Sequence, residues 1–153
     1  MAKNGERVED HPVSPASLPA EQTVLGALIE NDRLLAEVVS EGLRREHFTL
    51  SDHRRIFEAI VTLQGRHEPI DYITVAEQLG NRQEDYVLIG SLVHGVVFDD
   101  EEHVLHHATI VRRKWRLRAL LKIAEWLTAS VNETADPESL SAQAIDKIQS
   151  AAL

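Results

Sequence analysis

The stretch FTLSDHRRIFEAI (Phe48 to Ile60) places a polar cluster directly before an apolar helical pattern. Ile56 and Phe57 begin an apolar face at helical spacing, which predicts an α-helix rather than a strand. Ser51 belongs to the residue types that cap helix N-termini, and Asp52 in the following turn favours the positive end of the helix. The stretch therefore predicts a helix that buries one face in a core.

The cluster Asp52-His53-Arg54-Arg55 combines residue types used in acid–base chemistry, metal binding and phosphate contact. Successive helical side chains point about 100° apart, so Asp52 and His53 do not converge on one ligand. His53 lies three and four residues before the apolar pair, on the core-facing edge of the helix. We therefore predict a structural hydrogen bond for His53 within the domain and solvated positions for Arg54 and Arg55.

Composition limits the class of protein. The chain has 153 residues, a formal net charge of −9 and no cysteine, which excludes disulfides and thiolate metal sites. It has no apolar run near the roughly 20 residues that a membrane span needs, and its start lacks the apolar core of a signal peptide. The acidic balance disfavours non-specific nucleic-acid binding by the whole chain. These features predict a cytoplasmic protein.

Periodicity divides the chain into three parts. Residues 1–16 are polar and predict a disordered leader. Residues 17–98 predict a globular head of short helices, the first capped by Ser17 and a later one by Asp71. The segment YVLIGSLVHGVVF, Tyr86 to Phe98, fits a strand or a buried helix by periodicity alone, and the lack of a second strand signal favours helix. The predicted fold class is all-α, a compact multi-helix head followed by a long helical hairpin.

Residues 99–153 predict that antiparallel hairpin. Asp99 and Glu102 form a D-x-x-E capping pattern, and neither glycine nor proline follows until Pro137, where a second helix begins after Asp136. Two amphipathic helices joined by a short loop cannot bury all their apolar surface on each other, so the hairpin is predicted to carry a surface for oligomerisation. Its candidate residues are Val111, Trp115, Leu117, Leu121, Ala124, Leu140, Ala144 and Ile148.

The run RRKWRLR, residues 112 to 118, holds five cations in seven residues and resembles a phosphate-binding stripe. Helical geometry places Arg112 and Arg116 on one face but scatters the others. A solvated face paired with nearby carboxylates is the favoured interpretation. Nucleic-acid contact through Arg112, Arg113 and Arg116 is the alternative.

His103, His106 and His107 form an H-x-x-H-H pattern in which the first and last have a zinc-compatible spacing. No carboxylate follows at metalloprotease spacing, so exposed or interface histidines are predicted instead. The sequence also lacks G-x-x-x-x-G-K-[ST], G-x-G-x-x-G and G-x-S-x-G motifs. No catalytic residue, cofactor or metal is predicted.

Four segments carry a more specific pattern. SLPAEQTVLGALIEND (Ser17–Asp32) is similar to the pattern S-x-x-A-E-Q-x-V-L-G-x-L-L-x-D, and the opening stretch is similar to F-Y-x-x-x-H-x-x-I-F-x-A-I, with Thr49 in place of the tyrosine. HEPIDYITVAEQL (His67–Leu79) is similar to G-x-P-I-D-x-V-T-V-x-x-x-L, and HATIVRRKWRLRAL (His107–Leu120) is similar to Y-A-x-I-V-x-x-x-x-x-L-R-x-L. In this order, over residues 17–152, they resemble the N-terminal domain of the DnaB-type replicative DNA helicase family.

The resemblance implies a non-catalytic domain, with the ATPase motor of the family in a separate carboxy-terminal domain. In that family these domains pair through their hairpins into a collar and dock the helicase-binding domain of primase or a helicase loader, so that DNA is contacted only indirectly. Matching by motif places the implied partner contacts on Leu88, Arg118, Leu121 and Leu127. Two alternatives stay open: a part of a longer helicase, or a short paralogue that acts as a regulator or binds nucleic acid through the Arg112–Arg118 run.

Overall fold

Helices supply all the regular structure in the described part of the chain. The computed structural model describes residues 14–96, 100–133 and 136–152. The predicted all-α class, with a multi-helix head and a long antiparallel hairpin, is confirmed. The elements are α1 (Leu18–Glu30), α2 (Leu34–Ser40), a 3-10 turn (Arg45–His47), α3 (Ser51–Gly65), α4 (Tyr72–Leu79), α5 (Gln83–His94), α6 (Glu101–Glu133) and α7 (Pro137–Ala152).

Helix α1 forms the centre of the head. It packs against α3, α5 and α6, and it is buried from Ala20 to Ile29 apart from Gln22 and Thr23. Burying one large aliphatic or aromatic side chain contributes about 1.5–3 kcal/mol, so this core dominates the stability of the head. Its largest fully buried apolar side chains include Leu25, Leu28, Leu35, Leu43, Phe48, Ile56, Ile60, Leu63 and Ile89.

Gly26 sets how closely α1 and α5 approach each other. A Cβ atom at this position would lie 2.4 Å from Val96 Cγ2 and 2.6 Å from the backbone oxygen of Leu92. Both distances are shorter than a van der Waals contact, so a larger residue would force the two helices apart. The glycine of the V-L-G motif is therefore a packing requirement.

The predicted helix caps have mixed outcomes. Asp71 caps α4 as predicted, because its Oδ1 accepts hydrogen bonds from the backbone N–H groups of Ile73 and Thr74 at 2.8 and 2.9 Å. Ser17 occupies the cap position of α1 but makes no side-chain capping bond. The prediction for Ser51 is wrong, because Leu50 is the cap residue of α3 and Ser51 is already the first helical residue.

The ambiguous apolar segment of the head is helical, as predicted. Helix α5 covers most of it and buries Ile89 and Leu92 against the core. The predicted capping role of Asp99 lies outside the described residues. Asp100 supplies a neighbouring bond instead, since its Oδ1 accepts from the backbone N–H of His103 at 3.1 Å.

Helix α6 belongs to the head at one end and to the hairpin at the other. Its first turns bury Val104 and Ala108 in the head core, and its second half packs against α7. The two helices run antiparallel, because Trp126 of α6 meets Lys147 of α7 on the way back from the connecting segment. The head is therefore joined to the hairpin by one continuous helix.

The predicted leader is described only from residue 14 onward, and residues 1–13 lie outside the described part of the chain. Among the described residues, no helix combines the length and the apolar character needed to cross a membrane.

Candidate docking and self-association surfaces

The opening cluster is part of the head core. His53 Nδ1 lies 2.6 Å from Glu21 Oε2, and the other carboxylate oxygen accepts the backbone N–H of Thr49 at 2.8 Å. Glu21 and His53 are only 1% and 2% exposed. Burial would raise the pKa of Glu21, but the hydrogen bonds from His53 and Thr49 outweigh it and lower that pKa. The predicted structural hydrogen bond of His53 is confirmed.

The two arginines of the cluster are half-buried and bonded to the protein, so the prediction that they are simply solvated is wrong for Arg54 and holds only in part for Arg55, whose side chain is 37% exposed. Arg54 donates from Nε to the carbonyl of Phe48 at 2.9 Å and from an Nη to the carbonyl of Thr49 at 2.8 Å. Arg55 donates to Asp52 at 2.9 Å and reaches Leu79 O of α4 at 3.3 Å. Both guanidinium groups therefore hold neighbouring segments in place.

A second set of contacts fastens the hairpin to the head. Arg118 of α6 donates to the carbonyls of Pro15 and His47, each at 2.7 Å. The His47 ring packs on Trp115 with its centroid at 4.8 Å, and its Nδ1 accepts the backbone N–H of Arg44. Burial lowers the pKa of Arg118, and the charge of nearby Glu21 opposes this effect. An arginine stays charged under such a shift, so a positive group is held at this junction.

Acid is expected to weaken the junction through His47. Burial lowers the pKa of His47 from 6.5 to about 4. At a pH between these two values, His47 binds a proton in the unfolded chain but not in the folded chain. The free energy of unfolding is therefore unaffected above the unfolded-state pKa and decreases as the pH drops toward the folded-state pKa. The loss reaches about 3 kcal/mol at 1.36 kcal/mol per pKa unit. Urea melts of the wild type and of His47→Gln from neutral pH downward should show a shallower pH dependence in the variant. The same dependence in both would contradict this assignment.

The hairpin exposes an aliphatic surface, which we call the apolar face. It consists of large side chains at least 40% exposed on two helices: Leu117, Leu120, Leu121, Val131, Ile145 and Ile148. At about 100° per residue, the α6 members of this face lie within an arc of about 100°, with Leu120 nearest to α7 and Leu121 nearly opposite it, and Ile145 and Ile148 are displaced in the same rotational sense on α7. A two-fold axis normal to the plane of the hairpin relates its two antiparallel helices, so side chains displaced in the same rotational sense project from the same side of that plane. The stripes on α6 and α7 therefore lie on one side of the hairpin.

The predicted oligomerisation residues divide into two groups. Leu117, Leu121 and Ile148 lie on the apolar face, and Ala124 is exposed beside them. The others are directed toward the chain itself. Val111 is buried in the head core, Trp115 packs on His47, and Leu140 and Ala144 are buried between α6 and α7.

The predicted partner contacts lie on two different elements. Arg118 and Leu121 are neighbours on α6, the first half-buried and the second 42% exposed. Leu127 is half-buried in the hairpin. Leu88 lies on α5, half-buried against the head core.

The basic run does not form one cationic surface. Arg112 packs over Gly42, where a Cβ atom would lie 3.3 Å from its guanidinium and where the backbone φ of +92° favours glycine. Arg113 and Arg116 are exposed. Within the described ranges, none of these three arginines forms an ion pair with a carboxylate, so the predicted salt-bridged face is wrong for them.

The histidine pattern does not assemble a metal-binding group in the described residues. His103 Nδ1 lies 2.7 Å from Asp100 Oδ2. His106 and His107 contact each other edge to face, at 6.1 Å between ring centroids. Across residues 14–96, 100–133 and 136–152, no three potential ligands of the His, Cys, Asp or Glu type come together as a metal site would require.

The described residues thus form an all-helical domain in which a buried head is joined by one continuous helix to a helical hairpin. Residues 13–113 match the family model described as the DnaB-like helicase N terminal domain. The chain belongs to this family and corresponds to its N-terminal, non-catalytic domain.

Known relatives agree with this assignment. The chain is 34% identical over 116 residues to the replicative DNA helicase DnaB of Geobacillus stearothermophilus, covering 73% of this chain and 25% of that protein. It is 29% identical over 142 residues to the DnaB of Rhodothermus marinus, covering 90% of this chain and 14% of that protein. The chain thus spans a quarter or less of the length of the curated relatives it matches.

Solved structures show the same fold. The N-terminal domain of DnaB helicase from Mycobacterium tuberculosis superimposes with a TM-score of 0.79 at 29% identity, covering 89% of this chain and 98% of that one. A chain from the structure of a DnaB-like replicative helicase and its interactions with primase superimposes with a TM-score of 0.72 at 21% identity, covering 86% of this chain and 31% of that one. The second likeness shows the fold alone.

Proposed function

We propose that this chain is the N-terminal interaction domain of a cytoplasmic replicative DNA helicase. It self-associates through its hairpin and docks primase or a helicase loader during DNA replication. The apolar face is the observation that supports this proposal most strongly. Monomeric proteins rarely leave contiguous large aliphatic side chains in water unless a partner covers them.

The spacing within the apolar face suits helix–helix packing. Leu117, Leu121 and Val131 follow one another at intervals that keep them on one side of α6, and Ile145 and Ile148 are the exposed aliphatic residues of α7. Two copies related by a two-fold axis would present the same patch to each other, which is the commonest geometry of homodimers. We infer a dimer as the basic unit of assembly.

Docking of a replication partner is the second part of the proposal. Arg118 holds a charged group at the junction of head and hairpin, and Leu121 adds an exposed aliphatic side chain one helical turn away. Leu127 and Leu88 are half-buried and contribute the edges of their side chains. The primase named with the similar helicase structure is the partner class to test first.

Leu121→Glu is expected to weaken self-association by at least about tenfold, because it buries an unpaired carboxylate in an apolar interface. Sedimentation velocity should show a shift toward monomer, with the circular dichroism of the head unchanged. The same variant is expected to bind the carboxy-terminal domain of primase more weakly.

Ala129→Glu is the matched control. Like Leu121, Ala129 is exposed on α6, but its side chain points away from the apolar face. We expect it to keep the wild-type mass. An unchanged mass for Leu121→Glu would show that the apolar face is not the interface.

A further inference from the structure

The side of the hairpin opposite the apolar face carries two connected clefts. One, of about 440 Å³, lies at the junction of head and hairpin between Arg54, Trp115 and Arg118. The other, of about 500 Å³, lies between α6 and α7 beside Trp126 and Lys147. Both are lined by Ala119 and Lys122, so they form one continuous depression. We call it the basic trough, defined by Arg54, Trp115, Arg118, Lys122, Trp126 and Lys147.

Neighbouring carboxylates offset only part of the positive charge of the basic trough, and among them the charge of Glu21 acts on Arg118. Arg54 and Arg118 donate only to backbone carbonyls, and Lys122 forms no ion pair within the described ranges. Glu46 and Asp146 are the acidic residues that line the two clefts. The concentration of only partly compensated cations stands out in a chain with a net charge of −9.

Two of these cations are also fixed in position. Each guanidinium is held by two carbonyl bonds of 2.7 to 2.9 Å, which orient the group without cancelling its charge. A cation that is already immobilised loses little side-chain entropy when it binds a carboxylate. Charge-assisted hydrogen bonds from arginine to carboxylates are among the strongest in proteins.

We propose that the basic trough binds an acidic segment of a protein partner. This proposal rests on the docking part of the proposed function and names the chemistry of the segment. Trp115 and Trp126 lie about 16 Å apart along α6 at 1.5 Å per residue, which matches about five residues of an extended chain. Carboxylates would meet the cations, and apolar side chains would lie on the indole rings.

A nucleic acid fits the trough less well. Both tryptophans already have ring contacts within the chain: His47 lies in tilted contact with Trp115 at 4.8 Å between ring centroids, and the Lys147 ammonium lies over the Trp126 ring at 4.7 Å. Binding of single strands relies on open aromatic faces for base stacking. The acidic balance of the whole chain also opposes a polyphosphate backbone.

Intrinsic fluorescence tests the proposal directly, because the two tryptophans of the chain both line the trough. The probe is the acetylated and amidated peptide Glu-Leu-Glu-Glu-Leu-Glu, compared with its lysine counterpart and with a ten-nucleotide oligo-dT. We expect a saturable fluorescence change with the acidic peptide alone, and an affinity that falls as salt is raised.

Two variants of equal charge change identify the site. Lys122→Glu is expected to lower the affinity for the acidic peptide by about tenfold. Arg66→Glu, exposed just after the end of α3 and outside the trough, is expected to change the affinity less than twofold. An equal loss in both variants, or no saturable change with the acidic peptide, would overturn the proposal. Saturable binding of oligo-dT that displaces the peptide would assign the trough to nucleic acid instead.

Failure of this proposal can be told apart from failure of the proposed function. Neither variant changes the apolar face, so sedimentation of the same samples measures self-association independently. Absence of peptide binding to the wild-type chain, together with intact assembly, would overturn the trough proposal and leave self-association through the apolar face standing.

Discussion

Glu21→Ala is expected to lower the free energy of unfolding by about 2–6 kcal/mol, because each of two buried polar groups left without a partner costs about 1–3 kcal/mol. The substitution removes the acceptor of both the His53 ring and the Thr49 backbone N–H, and leaves these groups buried without a partner. The total free energy of unfolding of a small domain is about 5–15 kcal/mol, so this loss is a large fraction of the stability. Urea denaturation followed by circular dichroism measures it.

A double-mutant cycle separates the pair from the rest of the core. Once His53 is replaced by alanine, Glu21→Ala should cost clearly less than in the wild type, because the two side chains interact directly. Glu21→Gln is the isosteric control and keeps an acceptor for Thr49, so its cost should be smaller than that of Glu21→Ala. Strictly additive losses in the cycle would contradict a coupled pair.

Gly26→Ala is expected to destabilise the head by about 2–3 kcal/mol, at the upper end of the range for overpacking a core. The added methyl group would lie 2.6 Å from Leu92 O. Val96 can change rotamer, but a backbone oxygen in α5 can move only with its helix. The helices α1 and α5 must then separate, and the apolar contacts between them are lost.

Gly65→Ala is the matched control for this prediction. No atom lies within 4 Å of a Cβ built at Gly65, which is the last residue of α3. Alanine favours a helix over glycine by up to about 1 kcal/mol, so this variant should be neutral or more stable. Equal stabilities of the two variants in urea melts would show that α1 and α5 are not in the close contact described.

Much of the fold was predictable because its signals are local. The spacing of apolar residues indicated α1, α3 and α6, and Asp71 and Asp136-Pro137 marked helix starts from residue type alone. The prediction that Ser51 caps α3 is wrong because residue type alone does not fix the exact position, and a serine can also occupy the first position inside a helix.

The contacts that fix the head were not predictable from local patterns. Glu21 and His53 are 32 residues apart, and Arg118 and Pro15 are 103 apart, so only the packed fold brings them together. A buried acidic residue in α1 offered a faint signal, because a carboxylate on an apolar face requires a partner. No periodic pattern indicates the bonds of Arg54, because its carbonyl partners belong to the irregular backbone before α3.

The candidate surfaces were predictable only as apolar stripes. Periodicity indicates that Leu117, Leu121, Val111 and Leu140 all lie on apolar stripes. It does not show whether a stripe packs against the head, against the other hairpin helix or against a partner. The structure divides them, because Val111 completes the head core and Leu140 closes the hairpin. The basic trough depends on α7 returning beside Trp126, which no local pattern indicates.

Self-association through the apolar face is the central claim, and sedimentation of the wild-type chain over a range of concentrations tests it most directly. We predict a mass that rises with concentration to at least twice the 17.2 kDa of one chain. A mass that stays at 17.2 kDa up to high micromolar concentration would contradict it.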